Sequence, residues 1–300
     1  MKDLSVIVIS YNTCKLTKKT LEHLITALKI EKLDWEVVVV DNASIDGSVQ
    51  MLDMLAKDHP EIIILKNTAN LGFGAANNIG IKKAQGEYVL LLNSDVEVAD
   101  TDFVSLISYL KKNESVGGLT VKVNLRNGKI DPASHRGFPT MWHSFSYFFG
   151  LEKLTKNIPV LNTLFGGYHL TWEDLSKRHE IDSPTAAFFL LPRKVLKEVG
   201  GFDEKFFMYG EDLDLSYRIK EKGYKIMYYP KFIVIHLKHQ SGLKTFDPGT
   251  KRATKDHFYD AMKIFYRKHY APKKPAIVNW GMYKAIDLVC YIKTSVVHGN

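Results

Sequence analysis

A chain of 300 residues with 45% hydrophobic content buries a sizeable core, which excludes a largely disordered protein and fits one large α/β domain or two small ones. The 41 Lys and Arg against 33 Asp and Glu leave a net charge of +8, which favours anionic partners without choosing among nucleotides, nucleic acid and acidic lipid. Two cysteines at opposite ends, Cys14 and Cys290, exclude a disulfide framework or thiolate metal site and make a reducing cytosol the expected compartment.

The first apolar run, 4–9, follows the mixed leader Lys2 and Asp3, is too short for a signal-peptide core, and reads as a buried strand. From there Val- and Ile-rich runs at Leu4–Ser10, Trp35–Asp41, 62–65 and 88–92 alternate with segments of helical period, the pattern of βαβ units and a mostly parallel sheet covered on both faces. Leu16, Leu21, Leu24, Ile25 and Leu28 supply the buried stripe of the first crossover helix, and Ser48 is expected to N-cap the second. Residues 125–180 are irregular and aromatic-rich, which suits a binding loop or plain packing equally. Regular structure resumes at 186–191 and 195–199, with a helix over 211–222 and strands at 225–229 and 233–236. Beyond Lys251 basic residues interleave with Phe258, Met262, Phe265, Tyr266 and Tyr270, and Pro272 and Pro275 separate this helix from a last one. This basic amphipathic pattern reads either as a membrane-surface element or as a helix packed on the domain. No stretch reaches the roughly 18 to 20 apolar residues of a membrane span.

Ligands of open parallel sheets bind at the carboxyl ends of strands, where this chain is unusually polar. The first strand ends in Ser10, Tyr11 and Asn12, the second in Asp41, Asn42, Ala43 and Ser44, the fourth in Asn93, Ser94 and Asp95. Asp41 suits the imide hydrogen of a pyrimidine and Tyr11 its ring, a loop cap being the lesser reading of Asp41. Asn93 points toward a ribose, and Asp95 is a hard oxygen ligand for Mg²⁺ or Mn²⁺ on a diphosphate. The run from Asn70 through Gly72 and Gly74 to Asn77 lacks the third glycine of a dinucleotide fingerprint and follows the third strand, which disfavours a hydride-transfer enzyme. Glu211 and Asp212 open a helix, where carboxylates suit the dipole and also general-base chemistry. His236 and His239 follow the last strand as candidates for a metal or diphosphate contact.

In order, Ser10-Tyr11-Asn12, Val40-Asp41-Asn42-Ala43-Ser44, Asn70-Leu71-Gly72-Phe73, Leu92-Asn93-Ser94-Asp95, Gly200-Gly201-Phe202-Asp203-Glu204, Glu211-Asp212-Leu213-Asp214-Leu215 and His236 resemble the family 2 glycosyltransferases, in their rhamnosyltransferase-like branch. The resemblance runs over 4–241. It implies a GT-A fold, divided here into a sugar-donor half over 1–123 and an acceptor and catalytic half over 124–245, while the basic helical extension over 246–300 is read from its composition and lies outside the resemblance. It implies inverting transfer from a dTDP- or UDP-linked sugar, first dTDP-rhamnose, to a glycan or lipid-linked glycan. Ser10, Tyr11, Asn12, Asp41, Asn42, Gly72, Asn77, Asn93, Ser94 and Asp95 would bind the donor; Asp95 and His236 would hold Mg²⁺ or Mn²⁺. Asp212 would be the base with Glu211 beside it. Asn93 stands where many relatives place the first Asp of the metal motif. The enzyme would work in the cytoplasm, with peripheral contact to the inner face of the membrane through the C-terminal helices, and would not bind nucleic acid. A sugar-phosphate nucleotidyltransferase is disfavoured by Ser10 to Thr13 in place of a glycine-rich loop with Arg and Lys. A basic membrane- or nucleic-acid-binding protein is the rival from another class, and leaves the strand-end residues without a role.

Overall fold

The computed structural model describes residues 2–98, 100–238 and 248–295, the last segment with side chains from 256 to 292. Three βα steps and a fourth strand come first: β1 (Leu4–Ser10), α1 (Cys14–Lys29), β2 (Trp35–Asp41), α2 (Ser48–Asp58), β3 (Ile62–Lys66), α3 (Phe73–Lys83) and β4 (Tyr88–Asn93). All four strands run parallel in the order β3-β2-β1-β4, so β1 is flanked by β2 and β4 and the chain reverses direction across it. A crevice at such a switch point is where open α/β sheets receive ligands.

Both faces of β1, β2 and β4 are buried and the edge strand β3 is partly so, which is why they read as largely apolar runs. Val6, Val8, Val37, Val39, Leu90 and Leu92 face α1, whose Leu21, Leu24 and Leu28 are fully enclosed, each contributing about 1.5–3 kcal/mol of burial. Ile7, Ile9, Val38, Val40 and Leu91 face the other way, toward Ala76 of α3.

The second half turns mixed. β5 (Val96–Glu97), α4 (Phe103–Lys112) and β6 (Val116–Leu125) lead into three short helices, α5 (Met141–Phe148), α6 (Leu151–Thr155) and α7 (Pro159–Phe165). Then follow β7 (His179–Ile181), β8 (Phe188–Pro192), α8 (Arg193–Val199), α9 (Glu211–Glu221) and β9 (Lys225–His236). β8 joins the sheet antiparallel to β4 and β6, while β6 and β9 are parallel. The two strands expected at 225–229 and 233–236 are one: Pro230 lacks an N–H for the ladder, and the register shifts between Val121 and Lys122 to pass it.

Two other local readings change. Ser48 is the first helical residue of α2 rather than its cap, because the Asp46 carboxylate takes both its N–H at 3.1 Å and its hydroxyl at 2.6 Å. The irregular stretch 125–180 contains α5, α6 and α7, each too short for a helical period to stand out.

Two helices, α10 (Pro248–His269) and α11 (Ala276–Ser295), close the chain. Ala261 and Phe265 of α10 pack with Phe206 and Leu213 in a small separate core beside α9. Among the described residues no helix is long and apolar enough to cross a membrane.

Candidate active site

β1, β2 and β4 end level, with Ser10 opposite Asp41 and Ile9 opposite Asn93. This register delivers the polar strand ends to one rim. Asp41 is buried; its Oδ1 accepts from the Ser44 N–H at 2.9 Å, and its Oδ2 has no partner within the protein. A buried carboxylate oxygen without a donor is expensive to keep, so Asp41 presents an acceptor ready for an imide or amide hydrogen. Tyr11 stands half-exposed at the same rim. Asn12, in the left-handed region at φ 53°, laces the first loop to the second: its N–H donates to Ser44 Oγ (2.9 Å) and its Oδ1 accepts from Ile45 N–H (2.8 Å).

Several of the expected donor contacts are occupied in building this rim. Asn42 donates to Asn70 Oδ1 (2.8 Å) and accepts from Asn67 Nδ2 (2.9 Å) and Leu71 N–H (3.1 Å), so its amide is spent fixing the loop before α3. Gly72 has φ 83°, and a Cβ there would collide with the Phe207 carbonyl, which also accepts from the Phe73 N–H at 2.9 Å. Its bare backbone thus seats the loop before α9 rather than admitting a ligand. Asn77 donates to Phe73 O within its own helix (2.9 Å), Ser10 is enclosed against Thr17, and Ser94 lies 3.3 Å from Thr13 Oγ1.

At the end of β4 the structure does unite Asn93, Asp95 and His236. His236 Nε2 lies 3.2 Å from Asp95 Oδ1 and 3.5 Å from Asn93 Nδ2, and its Nδ1 lies 2.8 Å from Asp131 Oδ2. Asp131 also accepts from Lys238 at 2.9 Å, and these cations hold its carboxyl well below the usual range against the opposing effect of burial. Burial works against charge on His236, but the hydrogen bonds to Asp131 and Asp95 outweigh it and lift the pKa to about 9. These partners bias the imidazole toward its charged form, which suits a diphosphate; as a metal ligand it would act as the neutral ring, with the Nε2 proton released.

The same residues fit a divalent cation. The 3.2 Å between Asp95 Oδ1 and His236 Nε2 is close to the roughly 3 Å edge of an octahedron of ligands about 2.1 Å from its centre. Asp131 takes the outer ring nitrogen, as second partners of metal-bound histidines do, and Asn93 Oδ1 is buried without a partner. Among the described residues no three His, Cys, Asp or Glu side chains share a metal position, so most ligands would come from the diphosphate and water. His239 lies outside the described residues.

The third side of the rim is the start of α9. Asp212 Oδ2 accepts from Arg136 Nη2 at 2.8 Å, a nearly buried ion pair, and Oδ1 accepts from the Leu213 N–H at 2.7 Å. The neighbouring Glu211 is buried with Oε2 unpartnered, and burial together with the charge of Asp212 pushes its carboxyl well above the usual range. Of the two adjacent carboxyls, Asp212 is the one with a cationic partner, Arg136, while burial disfavours the charged form of Glu211. The next acid, Asp214, faces the opposite way into Arg218 (2.8 Å), Lys268 (2.7 Å) and His269 (2.8 Å).

Asp131, Arg136, Lys238 and His269 escape a reading of the sequence. Each matters only through a partner from 55 to 107 positions away, and no local spacing announces it.

Residues 5–199 match the profile of Glycosyl transferase family 2, and 169–270 that of Glycosyl transferase family group 2. The chain is 27% identical over 218 residues to the N-acetylglucosaminyl-diphospho-decaprenol L-rhamnosyltransferase of Mycobacterium tuberculosis, covering 69% of this chain and 68% of that protein. It is 24% identical over 261 residues to rhamnosyltransferase WbbL of Escherichia coli, covering 84% and 90%. Among solved structures it resembles GalNAc-T7 with UDP, GalNAc and Mn²⁺, with a TM-score of 0.59 and 16% identity over 89% of this chain and 50% of that one. These neighbours are GT-A glycosyltransferases, so the fold is of GT-A type. Some matched proteins are much longer: the chain spans 24% of an uncharacterized Sinorhizobium fredii protein to which it is 25% identical over 240 residues.

Proposed function

The chain belongs to glycosyl transferase family 2, and from that premise we propose that it transfers a sugar, L-rhamnose from dTDP-rhamnose, to a hydroxyl of a growing lipid-linked surface glycan. The observation that carries this reading is a set of three buried, unpartnered oxygens: Asp41 Oδ2 and Asn93 Oδ1 at the ends of the two strands flanking β1, and Glu211 Oε2 at the start of α9, beside Gly74 of α3. Each matches one part of the chemistry. Asp41 accepts the imide hydrogen of a thymine or uracil with Tyr11 at its ring, Asn93 reaches the ribose, and Glu211, whose charged form burial disfavours, lines the reacting centre beside Asp212.

Asp212, oriented by Arg136, removes the proton of the acceptor hydroxyl as that oxygen attacks the anomeric carbon. The bond to the diphosphate breaks on the opposite side, the nucleoside diphosphate leaves, and the single displacement inverts the centre. Asp95 and His236 would hold a divalent cation, which when bound stabilises the charge of the departing diphosphate. Lys238, held by Asp131, adds positive charge on that side. The sugar is assigned by likeness to the two rhamnosyltransferases, and the decaprenol-linked acceptor in the name of the first supports a lipid-linked acceptor here.

A UDP-linked hexose or galactofuranose is the second reading, favoured by the UDP-bound structural neighbour. Calorimetric titration with dTDP-rhamnose, UDP-galactose, UDP-N-acetylglucosamine and a GDP-sugar, with Mn²⁺ present, separates the two. Saturable binding of dTDP-rhamnose alone is expected. Binding of a UDP-sugar in its place reassigns the donor, and binding of none overturns the reading.

A further inference from the structure

The segment between β6 and β7 leaves the active-site rim and returns to it. Its ends meet where the Gly137 N–H donates to the Tyr168 carbonyl at 2.9 Å, next to the Arg136 that holds Asp212. Between those ends α5, α6 and α7 turn apolar side chains outward: Phe149, Leu154 and Val160 are 70%, 77% and 80% exposed, and Trp142, Phe145 and Leu164 about half. These residues are not scattered. Trp142 stacks on Phe145 with ring centres 5.8 Å apart, Phe145 meets Phe149 at 4.6 Å, and the Trp142 indole donates to Leu164 O at 2.7 Å, tying α5 to α7. A contiguous apolar face on a folded domain marks an interaction site rather than ordinary surface.

The charges identify its occupant. Within 141–165 the carboxylates and ammoniums are Glu152, Lys153 and Lys156. Glu152 is buried and paired with His169 at 2.6 Å, so the outward charges are the two lysines. An isologous contact with a second copy would bring those lysines toward one another. Aromatic rings and aliphatic chains bordered by lysine, with no exposed carboxylate, match the boundary of an anionic bilayer, where rings sit at headgroup level and ammoniums reach phosphate.

We propose that the α5–α7 insert is the membrane-seating surface of this protein, docking on an anionic lipid bilayer and holding the Asp212 rim at headgroup level. The docking itself is independent of the proposed reaction; only its purpose, bringing a lipid-linked acceptor to Asp212, rests on that reading. It also moves the membrane contact away from the C-terminal helices, where the basic sequence pattern alone would put it.

Cosedimentation of the full chain with phosphatidylcholine vesicles, without and with about 30% phosphatidylglycerol, tests it. The wild type is expected to sediment with the anionic vesicles. Replacing Phe149, Leu154 and Val160 together by Ser is expected to lower partitioning at least about tenfold, while Lys153→Glu with Lys156→Glu removes only the gain from anionic lipid. Ser at Ile277, Trp280 and Leu288 of α11, which are also exposed, is expected to leave partitioning unchanged. Donor binding by calorimetry, equal in all variants, reports an intact fold. Wild-type sedimentation by the insert variant, loss confined to the α11 variant, or a wild type left in the supernatant would each overturn the proposal. The last result, with a dimer that the insert variant splits, would assign the face to self-association. Vesicle binding without donor binding would sink the proposed reaction and leave this inference standing.

Discussion

At the ends of β1 and β2 the site residues stand at the end of the strand that delivers them, and their partners lie within 33 positions: Asp41 with Ser44, Asn12 with Ser44 and Ile45. Around α9 and the end of β9 the site is assembled across long distances instead, Arg136 reaching Asp212 over 76 positions and Asp131 reaching His236 over 105. The first arrangement gives a rim shaped by strand register, with an unfilled acceptor at Asp41. The second gives a rim shaped by ion pairs, in which charge is distributed between neighbours. Changes on the first side should alter donor affinity alone, and changes on the second should alter turnover or stability.

The largest effect should come from Asp212→Asn, which keeps the shape but cannot take a proton. Turnover is expected to fall roughly 10²- to 10⁴-fold with donor affinity unchanged, as measured by initial rates beside calorimetry. Unchanged turnover would break the division by returning α9 to a purely structural part. Next comes Asp131→Asn, which leaves His236 and Lys238 without their buried counter-charge and is expected to lower unfolding stability by about 3–5 kcal/mol in denaturant titration. If donor affinity fell and stability did not, Asp131 would belong to the binding side.

Smaller again is Asp41→Ala, with an expected affinity loss of about 1.5–3 kcal/mol for the nucleotide and no change in the fold. The smallest effect is on pH dependence and has opposite signs at two histidines. His236, raised to about 9 from 6.5, contributes stability that is complete below pH 6.5 and lost as pH climbs through 9. Burial, reinforced by His179, lowers His135 to about 4 from 6.5, so it favours the fold above pH 6.5 and that contribution is lost as pH falls toward 4. Each arm is worth about 1–3 kcal/mol, read from unfolding midpoints across pH in the presence of a chelator. Asp131→Asn should flatten the alkaline arm and spare the acid one.

How much of this was legible in the sequence follows the same division. The parallel strands are apolar on both faces, so their limits at Leu4–Ser10 and Trp35–Asp41 are visible as runs, and a polar residue ending such a run marks the rim. What the runs do not show is which polar residue is free. Asn42 looks as available as Asp41 until the loop before α3 is seen to consume it. Glu211 and Asp212 are visible as a pair, but not the ion pair with Arg136 that separates their roles. α5, α6 and α7 are the least legible, since helices of 8, 5 and 7 residues with outward apolar faces invert the usual amphipathic signal.

The inward-facing Asp214 has a consequence in the order of synthesis. α9 leaves the ribosome well before His269 and Lys268, which lie 55 and 54 positions further along and carry two of the groups that meet its buried carboxylate. Until then Asp214 has Arg218 from its own helix, together with whatever water reaches it. The helix that carries Asp212 therefore gains its final support late in translation, when α10 arrives, and a growing chain can complete its donor rim long before it completes its catalytic one.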